Sequence, residues 1–198
     1  MGHEAGYVVV WIEDQTADRA RSAREGAHRV AMFIGEAFVG DGQNAAHVTT
    51  MLGPRDGPIG AAWATAMASP NPGHAPFMVF LQPGLSIQPP TLFVNRVAMT
   101  NQVHTELTLG PAHAGVAAGV AKAVQKFSAE LDVQSMVIIA SVWVDLEAYD
   151  ADAIYMNNKA AANTALRNGM AHLPELDEVL ANIDAPWNEA YRRYRPYG

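Results

Sequence analysis

Seven histidines, at positions 3, 28, 47, 74, 104, 113 and 172, and no cysteine set the terms for chemistry in this chain. Without a thiol there is no disulfide scaffold, no thiolate metal site and no cysteine nucleophile. No two histidines stand four residues apart, as a helical zinc site would need, and P-loop, G-x-S-x-G and H-E-x-x-H motifs are absent from the sequence. What is left is acid–base work by imidazole, the side chain that titrates in the neutral range. His47 is the best placed of the seven. It follows Gly40 and Gly42 at the entry to a strand, where a loop end can present a ring to a cleft. A surface or satisfied core histidine is the commoner case. The residues alone reach one candidate acid–base group with no reaction attached.

The elements that must position it alternate along the middle of the chain. Val30–Val39 reads as a strand ended by Gly40-Asp41-Gly42, and Ala46–Leu52 as a second strand closing a hairpin. Gly40-Asp41-Gly42-Gln43-Asn44-Ala45 also fits the loose dinucleotide pattern G-x-G-x-x-A. That pattern works only ahead of a helix, and Val48-Thr49-Thr50 reads as strand, so a hairpin turn is the preferred reading. Ile59–Ala68, between Pro58 and Pro70, is helical, and Phe77–Leu81 and Leu92–Met99 are strands. Pro111 is expected to open a long helix, with Val116, Val120, Ala123, Val124 and Phe127 on one face. Ser135–Val144 reads as a strand buried on both faces, Asp150–Asn168 as a helix, and Glu175–Ile183 as a short one. Strands interleaved with helices place the chain in the mixed α/β or α+β classes.

With 198 residues, 49% of them hydrophobic and 17% charged, the chain can bury one solid core. Its net charge of -7 weighs against nucleic acid or an anionic membrane as partner, and the one dense basic cluster is Arg192, Arg193 and Arg195. No basic segment leads an apolar one at the N-terminus, and the longest apolar run, Met136–Val144, is too short to span a bilayer. A cytoplasmic location is expected. Three zones follow. Residues 1–29 form an extension, with an apolar stretch Tyr7–Ile12 and a helical segment Asp14–Arg29 that Asp14 or Thr16 would cap. Residues 30–170 carry the alternating elements. Residues 171–198 form a tail whose Trp187, Tyr191, Arg192, Arg193, Tyr194, Arg195 and Tyr197 are better suited to packing on a neighbouring subunit than to stacking on a ligand or nucleic acid.

Read at full length, the segment Gly35–His47 carries G-E-A, V-G-D-G, N and A-H in order. Gly53-Pro54-Arg55, Pro58, Pro83, Leu85, Pro89, Thr91–Val97, Gly110-Pro111-Ala112 and Gly115-Val116-Ala117 continue the series. This ordered set resembles the formaldehyde-activating enzymes, over roughly residues 33–167. The resemblance implies an α+β fold, a two-layer β-α-β domain like the second domain of ribosomal protein S5, in a homopentamer with sites between subunits. It implies condensation of formaldehyde with tetrahydromethanopterin as co-substrate, without a metal, to the methylene derivative and water. The family's proton-donating histidine falls on His47.

The family's pterin contacts fall on Thr49, Met78, Arg96, Ala98 and His113, and none of these keeps the family residue. Thr49 stands in place of an acid, Met78 of leucine, Arg96 of lysine, Ala98 of threonine and His113 of glutamine. Leucine to methionine nearly conserves volume, whereas lysine to arginine exchanges a point donor for a planar fork. Such changes are consistent with drift around a working site, or with another ligand or lost activity. Three readings follow: a pterin-dependent hydro-lyase, a silent paralogue that carries or senses a pterin or formaldehyde, and a structural partner of an active homologue.

Overall fold

The computed structural model describes residues 32–127, 129 and 131–188. The expectations for Tyr7–Ile12, Asp14–Arg29 and the basic end from Tyr191 onward lie outside these residues. In chain order the described elements are β1 (Phe33–Val39), a 3-10 turn (Gly42–Asn44), β2 (Ala46–Pro54), α1 (Pro58–Ala68), β3 (Phe77–Met78), β4 (Phe80–Gln82) and β5 (Leu85–Ser86). Then come β6 (Thr91–Asn95), α2 (Gln102–Leu107), a π turn (Thr108–Ala112), α3 (His113–Phe127), β7 (Met136–Trp143), α4 (Ala151–Met170) and α5 (Leu176–Ala181).

Five strands make one sheet in the order β1-β2-β7-β6-β3, and β4 pairs with β5 in a separate hairpin. β6 and β7 run parallel and the other pairs in the sheet antiparallel. The parallel pair needs a crossover, which α2 and α3 supply. Along β2, Ala46, Val48, Thr50 and Leu52 are buried while His47, Thr49 and Met51 are half-buried, the period of two that a strand imposes. The buried set meets Ile138, Ala140 and Val142 of β7, Val116 and Val120 of α3, and Ile154, Ala161 and Ala165 of α4. This is the expected two-layer α+β arrangement, with α3 and α4 over one face of the sheet. On the other face α1 covers one side only, where Ile59, Trp63 and Ala66 pack on Met51, Leu92, Val94 and Ile139.

The layers meet through small residues. A Cβ on Gly35 of β1 would lie 2.0 Å from the Ala165 carbonyl oxygen and 2.3 Å from the Gly169 nitrogen, so α4 rests on the strand backbone itself. Gly115 and Gly119 do the same for α3 against the carbonyls of Tyr155 and Lys159. Asp150 caps α4 by accepting from the Asp152 and Ala153 N–H groups. Among the described residues no helix is long and apolar enough to cross a membrane.

Three expectations need correction. Pro111 does not open the helix; Asn101 does, its side chain accepting from the His104 N–H at 2.8 Å. Proline lacks an N–H and its ring would meet the carbonyl four residues back, so the helix widens into a π turn around Pro111 and resumes at His113. The strand expected over Phe77–Leu81 breaks at Val79, whose N–H donates to the Thr91 carbonyl while its own carbonyl accepts from Ile87. Beyond it the chain leaves the main sheet for the β4–β5 hairpin, turned by Pro83 and Gly84 at φ +82°. The strand expected over Leu92–Met99 stops at Asn95, whose side chain donates to the carbonyls of Gly73 and Val97 and folds the chain aside.

Candidate active site

Strand register arranges the face away from α3 and α4 in rows. Phe38 of β1 stands opposite His47 of β2, and His47 opposite Trp143 of β7. Glu36, Thr49, Ser141 and Val94 form the next row, and Ile34, Met51, Ile139, Leu92 and Met78 the third. Because α1 packs on the third row and on Val94, it leaves the β1 and β2 members of the His47 and Thr49 rows uncovered.

The loop before His47 is what sets this register. Gly40 and Gly42 have φ of +85° and +61°, the left-handed region where glycine is at ease. Asn44 then fastens the loop to the start of α4. Its side-chain oxygen accepts from the Tyr149 and Asp150 N–H groups, both at 3.1 Å, and its carbonyl accepts from the Asn157 amide at 2.8 Å. Gln43 adds a bond to Glu147 at 2.8 Å. The segment that mimics a nucleotide fingerprint leads into a strand at Ala46, so no helix N-terminus faces a phosphate there.

Both nitrogens of the His47 ring are engaged. Nδ1 lies 3.0 Å from Nη1 of Arg96, and Nε2 lies 2.7 Å from Oε1 of Glu36. A guanidinium only donates, so Nδ1 accepts and the ring proton is assigned to Nε2, which stands at ion-pair distance from the carboxylate. Arg96 is held in place by its own N–H, which donates to the Val142 carbonyl at 2.7 Å just past the end of β6. The His47 side chain is 15% exposed and that of Glu36 60%, so the carboxylate is the outer member of the pair. Phe38 lies edge-on to the imidazole at 6.1 Å, and Trp187 lies edge-on to Phe38 at 5.3 Å. The arrangement offers a proton on a held imidazole, a cation, and aromatic surface for a flat ligand.

Of the residues expected at the site, one chain brings His47, Thr49 and Arg96 together. Met78 stands at the far edge of the sheet and lines an open depression of about 480 Å³ with Phe80, Pro83, Gly84 and Ser86. Ala98 lies on the loop beyond Arg96, against Gly73. His113 is on the opposite side of the sheet, buried among Phe80, Phe77 and Phe93 with ring centroids 4.5, 5.1 and 6.2 Å away. Its Nε2 accepts from the Phe80 N–H at 3.3 Å, and burial holds its pKa below the ordinary imidazole value. Other histidines serve the fold: His104 is buried and donates through Nε2 to the Val144 carbonyl, and His74 bonds the Asn95 carbonyl.

No local signal in the sequence singles out Glu36, Phe38 or Trp143 as site residues. Period-two alternation puts Glu36 and Phe38 on one face of β1, so those two are recoverable once the hairpin register is known. Trp143 needs the pairing of β2 with β7, which no local signal announces.

Residues 34–190 match the family model described as formaldehyde-activating enzyme. The chain is 36% identical over 154 residues to the bifunctional enzyme Fae/Hps of Methanococcoides burtonii, covering 77% of this chain and 39% of that protein. It is 37% identical over 152 residues to the bifunctional enzyme Fae/Hps of Methanosphaera stadtmanae, 76% of this chain and 37% of that one. It is 35% identical over 154 residues to the 5,6,7,8-tetrahydromethanopterin hydro-lyase of Methanosarcina barkeri, 77% of this chain and 86% of that one. The chain thus spans about two fifths of the length of these bifunctional relatives and most of the hydro-lyase.

Proposed function

The chain belongs to the formaldehyde-activating enzyme family, and on that footing we propose that it condenses formaldehyde with tetrahydromethanopterin or a related reduced pterin in the cytoplasm. The observation that carries this reading is the imidazole of His47 held between Arg96 and Glu36 on an open, aromatic-flanked sheet face. The N5 amine of the pterin adds to formaldehyde and gives a carbinolamine. His47, protonated on both nitrogens, supplies the proton with which the hydroxyl leaves as water. The N5 lone pair forms the iminium, N10 closes the methylene bridge, and the proton lost from N10 returns to the imidazole. One general acid of this kind contributes about 10²–10⁴-fold, and holding the two reactants together adds the rest.

The second proton has to reside on Nδ1, where Arg96 sits in the free protein. The guanidinium therefore turns from the ring to acceptor atoms of the incoming pterin, and the charged imidazole forms as it leaves. Met78 and His113 lie apart from His47 within one chain, beside the β4–β5 hairpin whose Phe80, Leu81 and Leu85 are 38, 51 and 49% exposed. We read that hairpin as the wall a neighbouring subunit brings to the site in a homopentamer. The described part of the tail, residues 171–188, leaves Leu176, Val179, Leu180 and Ile183 exposed, apolar surface for packing between subunits in the same assembly.

Stopped-flow formation of methylene-tetrahydromethanopterin, measured against the spontaneous reaction and against His47→Ala, tests the reading. The wild type is expected to exceed background, with the rate falling about 10²–10⁴-fold in the variant. A wild-type rate no better than background sinks it. The losses at Thr49 and Ala98 favour a second reading, a silent carrier or sensor, and pterin binding by calorimetry without turnover is its signature.

A further inference from the structure

Glu36 sits between the imidazole and the solvent. Its Oε1 is 2.7 Å from Nε2, the nitrogen that carries the ring proton, and its side chain is four times as exposed as that of His47, at 60% against 15%. Nδ1 faces Arg96 on the inner side, so once the guanidinium has turned to the pterin and the ring is charged, Nε2 is the nitrogen whose proton has the carboxylate beside it. Glu36 is also the one carboxylate in the open rows, directly opposite Thr49 across the β1–β2 pair. A carbinolamine reaching this face therefore meets the Glu36 carboxyl before the imidazole.

We propose that Glu36 is a catalytic residue that relays the proton from His47 to the leaving hydroxyl. This rests on the reading of His47 as proton source. In the step, the Nε2–H bond of the imidazolium breaks as an O–H bond forms on the carboxylate. The carboxyl passes a proton to the carbinolamine oxygen, the C–O bond breaks with its electron pair leaving on water, and the N5 lone pair makes the C=N bond. When N10 attacks, its proton goes to the Glu36 carboxylate and back to Nε2, so the pair ends as it began. A carboxyl group is a stronger acid than imidazolium, which suits protonation of a weakly basic hydroxyl. The imidazolium behind it is the source of the proton the carboxyl passes on.

Glu36→Gln separates relay from support. Glutamine keeps the length of glutamate and a carbonyl oxygen that can accept beside Nε2, but the amide carries no transferable proton at neutral pH. The relay predicts that kcat falls about as far as in His47→Ala, at least tenfold and up to about 10⁴-fold, with KM little changed. Glu36→Asp, which keeps a carboxyl on a shorter arm, recovers part of the loss. A Glu36→Gln enzyme within tenfold of wild type overturns the relay and leaves His47 as the direct donor. A wild type with no rate above background is instead the failure of the proposed activity itself. If Glu36→Gln does not fold, the wild-type rate across H₂O–D₂O mixtures decides: a bowed dependence reports two protons moving together, and a straight one overturns the relay.

Discussion

Two histidines of this chain show how surroundings set the use of one side chain. His47 lies on the open face with a cation on one nitrogen and a carboxylate on the other. His113 is enclosed by three phenylalanine rings, and its Nε2 accepts from a main-chain N–H, a bond that survives only while that nitrogen is unprotonated. Burial lowers the His113 pKa in the folded protein, so acid is expected to destabilise the fold through this residue. Above the ordinary value of about 6.5 the ring is neutral in both states and the full stability is present. As pH falls through that value the unfolded chain takes up a proton first, and stability declines until the lowered folded value is passed. His113→Gln, a polar side chain that does not titrate, is expected to remove that component. Melting temperatures of the two proteins from about pH 7.5 to about pH 5 check it: the wild type loses more than the variant. Equal losses would mean that another group governs acid sensitivity.

At the scale of elements, the site depends on how closely α4 lies on β1. Because a Cβ on Gly35 would sit 2.0 Å from the Ala165 carbonyl oxygen, Gly35→Ala must push the helix off the strand. The expected cost is at the upper end of the roughly 1–3 kcal/mol typical of overpacking, or beyond it, read as a lower denaturant midpoint. His47 shares the hairpin with Gly35, so turnover should fall with stability, while an alanine at the open Gly42 tip strains only the turn. Gly35 also marks what sequence can reveal. The hairpin, the α4 helix with its Asp150 cap and the apolar stripe of α3 are legible because each is written in local spacing. His47 and Arg96 are put forward by the ordered motif, and their 3.0 Å approach belongs to the structure. The contact of Gly35 with Ala165 and Gly169 is not, since nothing near residue 35 names a helix at the other end of the domain. For the same reason Trp143 escapes a reading of β2 alone. Pro111 misleads for a different reason: proline is as compatible with a π turn inside a helix as with a first turn, and only the Asn101 cap upstream tells them apart.

At the scale of the whole molecule, the sheet separates His47 from His113, and Met78 stands on the far strand, so a pterin seated at His47 of one chain does not reach all the expected contacts in that chain. A ring of identical subunits resolves this if the His47 face of each meets the β4–β5 hairpin of the next, a heterologous contact that closes on itself. The exposed Phe80, Leu81 and Leu85 give that hairpin the apolar surface such a contact needs. The arrangement has a genetic signature. In the proposed ring, His47→Ala would remove the proposed proton source from one side of each interface, and Met78→Arg would fill the depression on the other side. Each variant alone is expected to show little activity. Co-expressed and randomly mixed, they produce interfaces that carry His47 from one parent and Met78 from the other. With two independent choices at every interface, roughly a quarter of wild-type turnover should return. Native mass spectrometry establishes that mixed oligomers are present, and the stopped-flow assay then decides. If mixed rings form and stay inactive, the His47 face and the Met78 wall do not share a site across subunits, and the pterin must be held by one chain alone.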